Sequence, residues 1–376
     1  MNISLITFSR AKNYGGILQA YALFKFLEND GHGVQFIDYI PERSNIYNPK
    51  QFVKRSTSRS RLWGKNAITR FLWEKLYFDK IKKDYLKFFY FIEKECAFST
   101  RYFSYDELVE NPPISDLYLV GSDQVWNSDY TTKKQLDLPF YLTFTKAKKI
   151  SYASSFGNGI IPDSHKNSVR EYISEFSHVS VREESGKSIL GELGIRAEVV
   201  LDPTMLFDQE FWLKKCNKPI IEGTYLLLYQ VRFDKKVYET AKYFARKMGM
   251  KIVILSMNRA DIIKYGSSIV MTPDVEDWLS YIKNASFVYT DSFHATVFSI
   301  LFHVPFVVNS ASRQKMSSRI SNLLDLIELD NREMKDFDVE KGYLKFGQTI
   351  DWEKTDRLIQ MERERSINWL RNALEK

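Results

Sequence analysis

The chain has 376 residues, 44% of them hydrophobic and 27% charged, which is typical of a globular protein and excludes a disordered one. That length exceeds what one ordinary core accommodates, so we expect two domains. The formal net charge of +7 favours acidic ligands, nucleic acid or an anionic surface, without distinguishing among them. Only Cys96 and Cys216 are present, which excludes a disulfide framework and a cysteine-based zinc site.

The sequence shows neither a secretion signal nor a membrane span. Its first ten residues, MNISLITFSR, lack the basic and apolar regions of a signal peptide. No run reaches the roughly 20 apolar residues that a spanning helix needs. We therefore expect a cytoplasmic protein whose contact with the inner face of the cell membrane, if any, is peripheral.

The chain opens with the pattern of a Rossmann-like half-unit. Asn2–Phe8 is predicted to be a strand, the segment ILQAYALFKFLENDG a helix, and Val34–Tyr39 a second strand. The connecting loop, Asn13-Tyr14-Gly15-Gly16, permits close approach of a ligand to the backbone, although a simple tight turn fits it equally well. It does not match GxGxxG, so a dinucleotide site has little support.

A basic and aromatic segment follows, which we predict to be helical and inserted into the α/β pattern. Between residues 49 and 91 the sequence has twelve basic residues against three acidic ones, interleaved with aromatic residues. Two interpretations remain open: a helical subdomain with a solvated basic face, or a surface for anionic headgroups or a diphosphate-linked lipid. No recognised nucleic-acid module accompanies the charge, and we expect no nucleic-acid partner.

Polar residues follow three consecutive predicted strands. The strands Asp116–Val120, Lys149–Ala153 and His178–Val181 are followed by Asp123, Ser155 and Arg182 respectively. Because the carboxyl ends of parallel strands share one edge of the sheet, we expect these side chains to lie together.

The second half of the chain repeats the α/β pattern from about Gly223, and Asp351–Leu374 is predicted to be a long terminal helix. Within it, residues 286–308 read as strand, sharp turn, helix and strand. His294 lies at the predicted helix start beside Asp291 and Ser292, where free N–H groups favour anions. Alternatively, Asp291 and Ser292 only cap the helix and His294 is an ordinary structural residue.

Taken together, the motifs resemble those of the polysaccharide pyruvyl transferase family. The matching segments, in the family's order between residues 1 and about 330, are NYGGILQAYAL, VGSDQVWN, SYASSFG, SVREESGKSILGELGI, VVLDPT, TDSFHATVFSILFHVPFVV and SSRISNLL. The resemblance implies an α/β fold of two Rossmann-like domains facing a cleft, similar to GT-B glycosyltransferases, with the helical insertion in the first. We expect an acceptor-side domain at 1–215, a donor-side domain at 216–350, and a helix at 351–376 that packs back on the first domain.

The same resemblance implies an activity. Family members transfer pyruvate from phosphoenolpyruvate to a sugar diol in bacterial surface polysaccharide biosynthesis. It implies phosphoenolpyruvate as co-substrate with no further cofactor, and a sugar acceptor that could be linked to undecaprenyl diphosphate. We expect no metal, because the other histidines show no ligand spacing with acidic residues. Two alternatives stay open: a nucleotide-sugar-dependent GT-B glycosyltransferase, and a non-catalytic binding protein of polysaccharide assembly.

The resemblance also suggests roles for single residues. Family members commonly carry arginine two residues before the turn histidine, and this chain has Ser292 there, so other cations would have to hold the donor. The expected catalytic residues are His294 and Asp123. The expected donor-binding residues are Arg182, Ser292, Arg319 and Arg313, and the expected acceptor-binding residues are Asn13, Tyr14, Gly15, Gln124 and Trp126.

Overall fold

The computed structural model describes residues 1–40, 45–58, 60–130, 135–157, 159–265, 269–311, 318–336, 339–340, 343 and 349–375. The chain forms two compact units. The first comprises Met1–Arg182 and Gly186–Val199, and the second comprises Glu183–Ser185 and Val200–Lys376.

The first unit is built on a seven-stranded parallel sheet in the order β3-β2-β1-β4-β5-β6-β7. Its strands are β1 (Asn2–Ile6), β2 (Gly33–Tyr39), β3 (Phe98–Tyr102), β4 (Leu117–Val120), β5 (Lys148–Ser154), β6 (His178–Val181) and β7 (Glu198–Val199). The helices along this part of the chain are α1 (Tyr14–Asn29), α2 (Pro49–Thr57), α3 (Ala67–Glu93), α4 (Tyr105–Glu110), α5 (Asp163–Ser174) and α6 (Glu184–Glu192).

The second unit contains a six-stranded parallel sheet in the order β10-β9-β8-β11-β12-β13. Its strands are β8 (Tyr225–Tyr229), β9 (Lys251–Ser256), β10 (Ile269–Met271), β11 (Phe287–Thr290), β12 (Phe306–Asn309) and β13 (Glu333–Met334). Its helices are α7 (Gln209–Leu213), α8 (Lys235–Lys247), α9 (Ile262–Tyr265), α10 (Val275–Lys283), α11 (Phe293–Leu301), α12 (Ser318–Leu326) and α13 (Trp352–Glu375).

The central strands explain why both sheets are parallel and covered on both faces. Every residue of β4 (LYLV), β8 (YLLLY) and β11 (FVYT) is buried, as expected when helices cover both sides of a sheet. The predicted fold class, two Rossmann-like α/β units, therefore agrees with the two sheets. The strands β3, β10 and β13 were not predicted, because they are edge strands of five, three and two residues, too short or too polar to give a strand signal.

The predicted helical insertion is present and joins β2 to β3. Asn66 is the N-cap of α3 and forms a capping box with Thr69. The Asn66 side chain accepts from Thr69 N, and Asn66 N donates to Thr69 Oγ1. Near the other end of α3, Phe88 packs against Tyr14 and Phe91 against Tyr21, with ring centroids 4.8 and 5.2 Å apart. The last turns of α3 are thus part of the core of the first unit.

A buried ion cluster fixes this insertion to the sheet. The Arg10 guanidinium, which is 3% exposed, donates to both carboxylate oxygens of Asp38 at 2.7 and 2.9 Å. Arg101 on β3 donates to Asp38 at 2.9 Å, and Arg10 also contacts Glu93 at the end of α3. Because Asp38 pairs with both arginines, its negative charge connects β2 to β3 and, through Arg10 and Glu93, to the end of α3.

The segment after β7 packs with the second unit. Leu201 N donates to Ser366 Oγ at 3.0 Å, and Arg363 Nε donates to the Met205 carbonyl at 2.7 Å. Helix α13 therefore packs on residues 201–207, which the sequence analysis counted with the first domain. The assignment of one domain to the acceptor and the other to the donor stays a prediction. Among the helices in the described ranges, none combines the length and apolar character needed to cross a bilayer.

We expect Asp38→Asn to destabilise the protein by about 3 kcal/mol, because the buried Arg10 loses its buried carboxylate and keeps only the exposed Glu93. Urea unfolding followed by circular dichroism measures the effect. The matched control is Glu353→Gln, which removes a carboxylate from an exposed ion pair with Arg357 and should leave the midpoint unchanged. Equal midpoints for both variants would show that the Asp38 cluster does not stabilise the insertion.

Candidate functional site

The polar turn at the carboxyl end of β11 is ordered by its own hydrogen bonds. Ser292 N donates to Thr290 Oγ1 at 3.0 Å, and Ser292 Oγ accepts from Ala295 N at 3.4 Å as the N-cap of α11. Thr296 Oγ1 donates to the Ser292 carbonyl at 2.9 Å. Ser292 thus caps α11 at the position where the resemblance led us to expect an arginine.

His294 lies in the first turn of α11 and is 8% exposed. Its Nε2 lies 3.4 Å from Asp202 Oδ2, within ion-pairing distance. Within the described part of the chain, this nitrogen makes no hydrogen bond. The imidazole is therefore held with Nε2 towards a carboxylate at ion-pairing distance.

Asp202 is the functional candidate that the sequence analysis missed. It is 2% exposed, and its Oδ1 accepts hydrogen bonds from Thr204 N at 3.1 Å and from Thr204 Oγ1 at 2.7 Å. These bonds fix one carboxylate oxygen and direct the other towards His294. The motif VVLDPT was recognised, but only the fold brings its aspartate to a histidine in another motif.

A tryptophan holds the Asp202 segment against α11. Trp212 Nε1 donates to the Thr204 carbonyl at 2.9 Å, and its ring meets Phe298 edge-on at 4.9 Å. Trp212 is fully buried, so both contacts are shielded from water. The Asp202–His294 contact is consequently built on packed side chains rather than on a loose loop.

Other polar groups line the same edge of this sheet. Asp291 Oδ1 accepts from Val231 N at 2.7 Å, which ties the end of β11 to the end of β8. The Tyr265 hydroxyl contacts the Gln230 side chain, and burial, with smaller contributions from Asp261 and Asp291, raises the pKa of Tyr265. Tyr265 therefore stays protonated and can donate a hydrogen bond at neutral pH.

Arg319 and Arg313 were both expected to bind the donor, and the structure describes one of them. Arg319 is on α12, which packs against α11, and it is 7% exposed. Arg313 lies outside the described residues. Arg319 thus places a positive charge on a helix that packs against α11, the helix of His294.

In the first unit, the three polar strand ends predicted to meet do meet. Ser155 N donates to the Asp123 carbonyl at 3.0 Å, and Arg182 N donates to the Ser154 carbonyl at 3.2 Å. Arg182 Nη2 lies 3.7 Å from Asp123 Oδ1, and Arg182 Nη1 donates to Ser122 Oγ at 3.5 Å. A buried arginine therefore neutralises Asp123 at the carboxyl edge of the sheet.

Asp123 has an uncommon backbone conformation, with φ of 76°. Aspartate tolerates this left-handed region better than most residues, and such positions concentrate at functional sites. Its Oδ1 accepts from Gln124 N at 2.8 Å, and a Cβ added to Gly16 would lie 3.3 Å from its Oδ2. Glycine at position 16 thus allows the N-terminus of α1 to approach the carboxylate closely.

The residues expected to bind the acceptor occupy different environments. Asn13 is exposed and caps α1 by accepting from Gly16 N at 3.3 Å. Tyr14 and Gly15 are buried, and Gln124 accepts from Asn127 Nδ2 at 2.9 Å. Trp126 is 3% exposed, and its Nε1 donates to the Phe140 carbonyl at 2.9 Å inside the core. Direct contact of these residues with an acceptor stays a prediction.

No ion ligand set is evident either. In the ranges that the structure describes, no three histidine, cysteine, aspartate or glutamate side chains are grouped so that they could hold a metal ion.

Ser292→Ala should destabilise the protein by about 1 kcal/mol, because α11 loses the side chain that accepts from Ala295 N. Ser292→Thr keeps a capping hydroxyl and should lose only a small part of that stability. Thermal and urea unfolding of the three proteins measure the difference. If the alanine variant were as stable as the wild type, the capping bond of Ser292 would not stabilise the fold, and a contact of Ser292 with the donor would be favoured.

Comparison with known proteins agrees with these observations. The family model described as polysaccharide pyruvyl transferase matches residues 13–310, whereas no curated protein matches the chain. A UDP-GlcNAc 2-epimerase from Neisseria meningitidis, bound to UDP-GlcNAc, is similar in structure with a TM-score of 0.54 and 11% identity, over 100% of this chain and 99% of its own. A putative UDP-N-acetylglucosamine 2-epimerase from Listeria monocytogenes gives 0.51 and 10%, over 96% and 90%.

At such low identity these two structures show the fold alone, and they confirm the predicted GT-B-like class of two Rossmann-like units. The family match is of a different kind, because it covers most of the chain and includes both Asp202 and His294. The chain belongs to the polysaccharide pyruvyl transferase family.

Proposed function

We propose that the protein transfers pyruvate from phosphoenolpyruvate to two hydroxyl groups of a sugar, forming a cyclic ketal during the synthesis of a bacterial surface polysaccharide such as a capsule or exopolysaccharide. The observation that carries this proposal is the buried contact between His294 and Asp202 at the start of α11. The family match supports the transfer of pyruvate, and the geometry supports a proton donor at this position.

Phosphoenolpyruvate has a carboxylate and a phosphate, and it requires positive charge or N–H donors for binding. The first turn of α11 presents backbone N–H groups without partners inside the helix, together with the positive end of the helix dipole. Arg319 on the neighbouring α12 is the proposed side-chain cation. Arg182 stays a proposed donor contact on the resemblance alone, since its described neighbours are Asp123 and Ser122.

Ketal formation begins with a proton added to C3 of the donor, which becomes the methyl group. We assign this proton to the His294 imidazolium, with Asp202, which lies 3.4 Å from its Nε2, as the residue that stabilises the positive charge. C2 then becomes oxocarbenium-like and is attacked by the first sugar hydroxyl. The proton of that hydroxyl returns to the base, so His294 is ready for another cycle.

The second half of the reaction expels phosphate. The C2–O bond to phosphate breaks, and the second sugar hydroxyl attacks C2 and closes the ring. Its proton leaves with the phosphate as hydrogen phosphate, so the two hydroxyl hydrogens end on the methyl group and on phosphate. Every step needs only an acid and a base, and we therefore propose no cofactor and no metal beyond phosphoenolpyruvate as co-substrate.

For the acceptor we propose the polar edge of the first unit. In this proposal Asp123 orients or deprotonates a sugar hydroxyl, and the space that Gly16 leaves beside its Oδ2 supports the role. An acceptor linked to undecaprenyl diphosphate would fit a basic protein in polysaccharide synthesis. A glycosyltransferase using a nucleotide sugar, or a non-catalytic binding protein, is the alternative. Release of phosphate from phosphoenolpyruvate, of nucleotide from a sugar nucleotide, or of neither, separates the three.

His294→Asn should lower kcat by a factor on the order of 100 to 10,000, because general acid catalysis contributes that much. The assay follows phosphate released from phosphoenolpyruvate in the presence of the acceptor. The matched control is His303→Asn at the end of the same helix, where His303 pairs with Asp356 at 2.9 Å on the surface and has φ of 54°, which asparagine tolerates. Wild-type turnover by His294→Asn would refute the proposed acid.

Asp202→Asn should lower kcat on the order of ten- to a hundred-fold while KM for phosphoenolpyruvate changes little, because the residue acts through His294. The asparagine oxygen can still accept from Thr204, so the unfolding midpoint should stay near that of the wild type. Steady-state kinetics and urea unfolding measure both. A raised KM with unchanged kcat would instead place Asp202 in donor binding, against its role as a positioning residue.

A further inference from the structure

The first two-thirds of α3 take no part in the core of the first unit. The helix has 27 residues, yet residues 67–83 include no buried one. One side of α3 is covered by α2, since the Phe52 ring lies 6.0 Å from Phe78 and 5.6 Å from Tyr85. The preceding turn adds Trp63, whose ring lies 5.9 Å from Tyr77. The remaining side of this segment faces away from these contacts.

That side carries an apolar stripe. Ile68, Phe71, Leu72 and Leu76 are 71%, 61%, 46% and 55% exposed, and Leu62 in the turn before the helix is 58% exposed. Their spacing of three and four residues puts the four helical side chains on one face. Isolated exposed apolar residues are common, but a stripe of large ones marks an interaction surface.

Basic residues continue the same face along the helix. Lys75, Lys80 and Lys83 are exposed, and each follows a member of the stripe by three, four or seven residues. Between residues 60 and 83 the sequence has seven basic residues and two acidic ones, Glu74 and Asp79. The helix therefore presents an apolar section at residues 68–76 and, at residues 75–83, a section in which three exposed lysines outnumber the exposed Asp79, each about 12 Å long at 1.5 Å per residue.

We propose that this surface of α3, formed by Ile68, Phe71, Leu72, Leu76 and the three lysines, docks on an anionic lipid bilayer. The apolar stripe enters the region between headgroups and acyl chains, and the lysines contact the negative headgroups. Charge complementarity selects this occupant. A second copy of the chain would bring a helix of the same positive charge against it. The proposal is independent of the pyruvyl transfer reaction, since lipid binding needs no turnover.

The test is co-sedimentation of the full-length protein with vesicles of phosphatidylcholine, with and without phosphatidylglycerol. The protein should bind the anionic vesicles and dissociate at high salt. Replacing the three lysines by glutamine should weaken binding roughly a hundred-fold, at about five-fold for each base. The variant Ile68→Ser, Phe71→Ser, Leu76→Ser should also weaken it, and both variants should keep the wild-type unfolding midpoint because the residues are exposed.

Matched controls change the same number of exposed groups elsewhere. Lys218→Gln, Lys235→Gln, Lys251→Gln removes the same charge, and Ile114→Ser, Ile160→Ser, Ile263→Ser removes three exposed isoleucines that are 95%, 66% and 91% exposed. Both controls should bind vesicles like the wild type. The proposal fails if the α3 variants and controls bind alike, or if the wild type does not distinguish anionic from neutral vesicles.

Two other outcomes would also overturn it. Light scattering would reveal a dimer that the serine variant of α3 dissociates, if the stripe is an interface between copies of the chain. Binding of a single-stranded oligonucleotide that the glutamine variant loses, with no vesicle binding, would assign the surface to nucleic acid.

Discussion

A buried carboxylate beside a buried imidazole is the interaction on which the second unit's proposed chemistry depends. Such a pair is costly to remove from water unless each group is held and partnered. Here Thr204 supplies two hydrogen bonds to Asp202, Trp212 fixes the Thr204 carbonyl, and α11 carries His294 on a helix buried along its length. The result is an imidazole that is oriented before any substrate arrives, as the proposed role of proton donor requires.

The first unit arranges its polar groups by the same rule of parallel sheets. Strands β4, β5 and β6 end side by side, so the residues after them are adjacent in space although they are distant in sequence. Asp123 there has a positive φ and lies close to Arg182. Gly16 leaves room beside its carboxylate. Each unit thus concentrates polar chemistry at the carboxyl edge of its own sheet.

Much of this could be predicted from the sequence, because long apolar runs and strand–turn–helix patterns are local signals. The strand at His178–Val181, the α/β pattern of the second half and the helical nature of the insertion were predicted for this reason. Contacts between distant segments were not. Nothing in VVLDPT or TDSFHAT alone indicates that Asp202 faces His294, whereas capping of the helix by Ser292, a local contact, was one of the two interpretations that the sequence left open.

The edge strands illustrate the same limit in the fold. β3 has the sequence FSTRY, and it pairs with β2 and joins it by a salt bridge between Arg101 and Asp38, which no periodicity reveals. Trp126 was expected to bind the acceptor, and the structure shows that its indole Nε1 donates to the Phe140 carbonyl inside the core. In both cases tertiary packing, rather than local preference, determines the role of the residue.

The proposed reaction requires that one proton from solvent, delivered through His294, is added to C3 of phosphoenolpyruvate. Mass spectrometry of the acceptor after incubation with phosphoenolpyruvate in water and in D₂O tests this. The predicted result is a gain of about 70 Da in water, from adding pyruvate and losing water, and about one more in D₂O from a singly deuterated methyl group. No gain with any diol acceptor, or a gain without deuterium in the methyl group, would contradict the account.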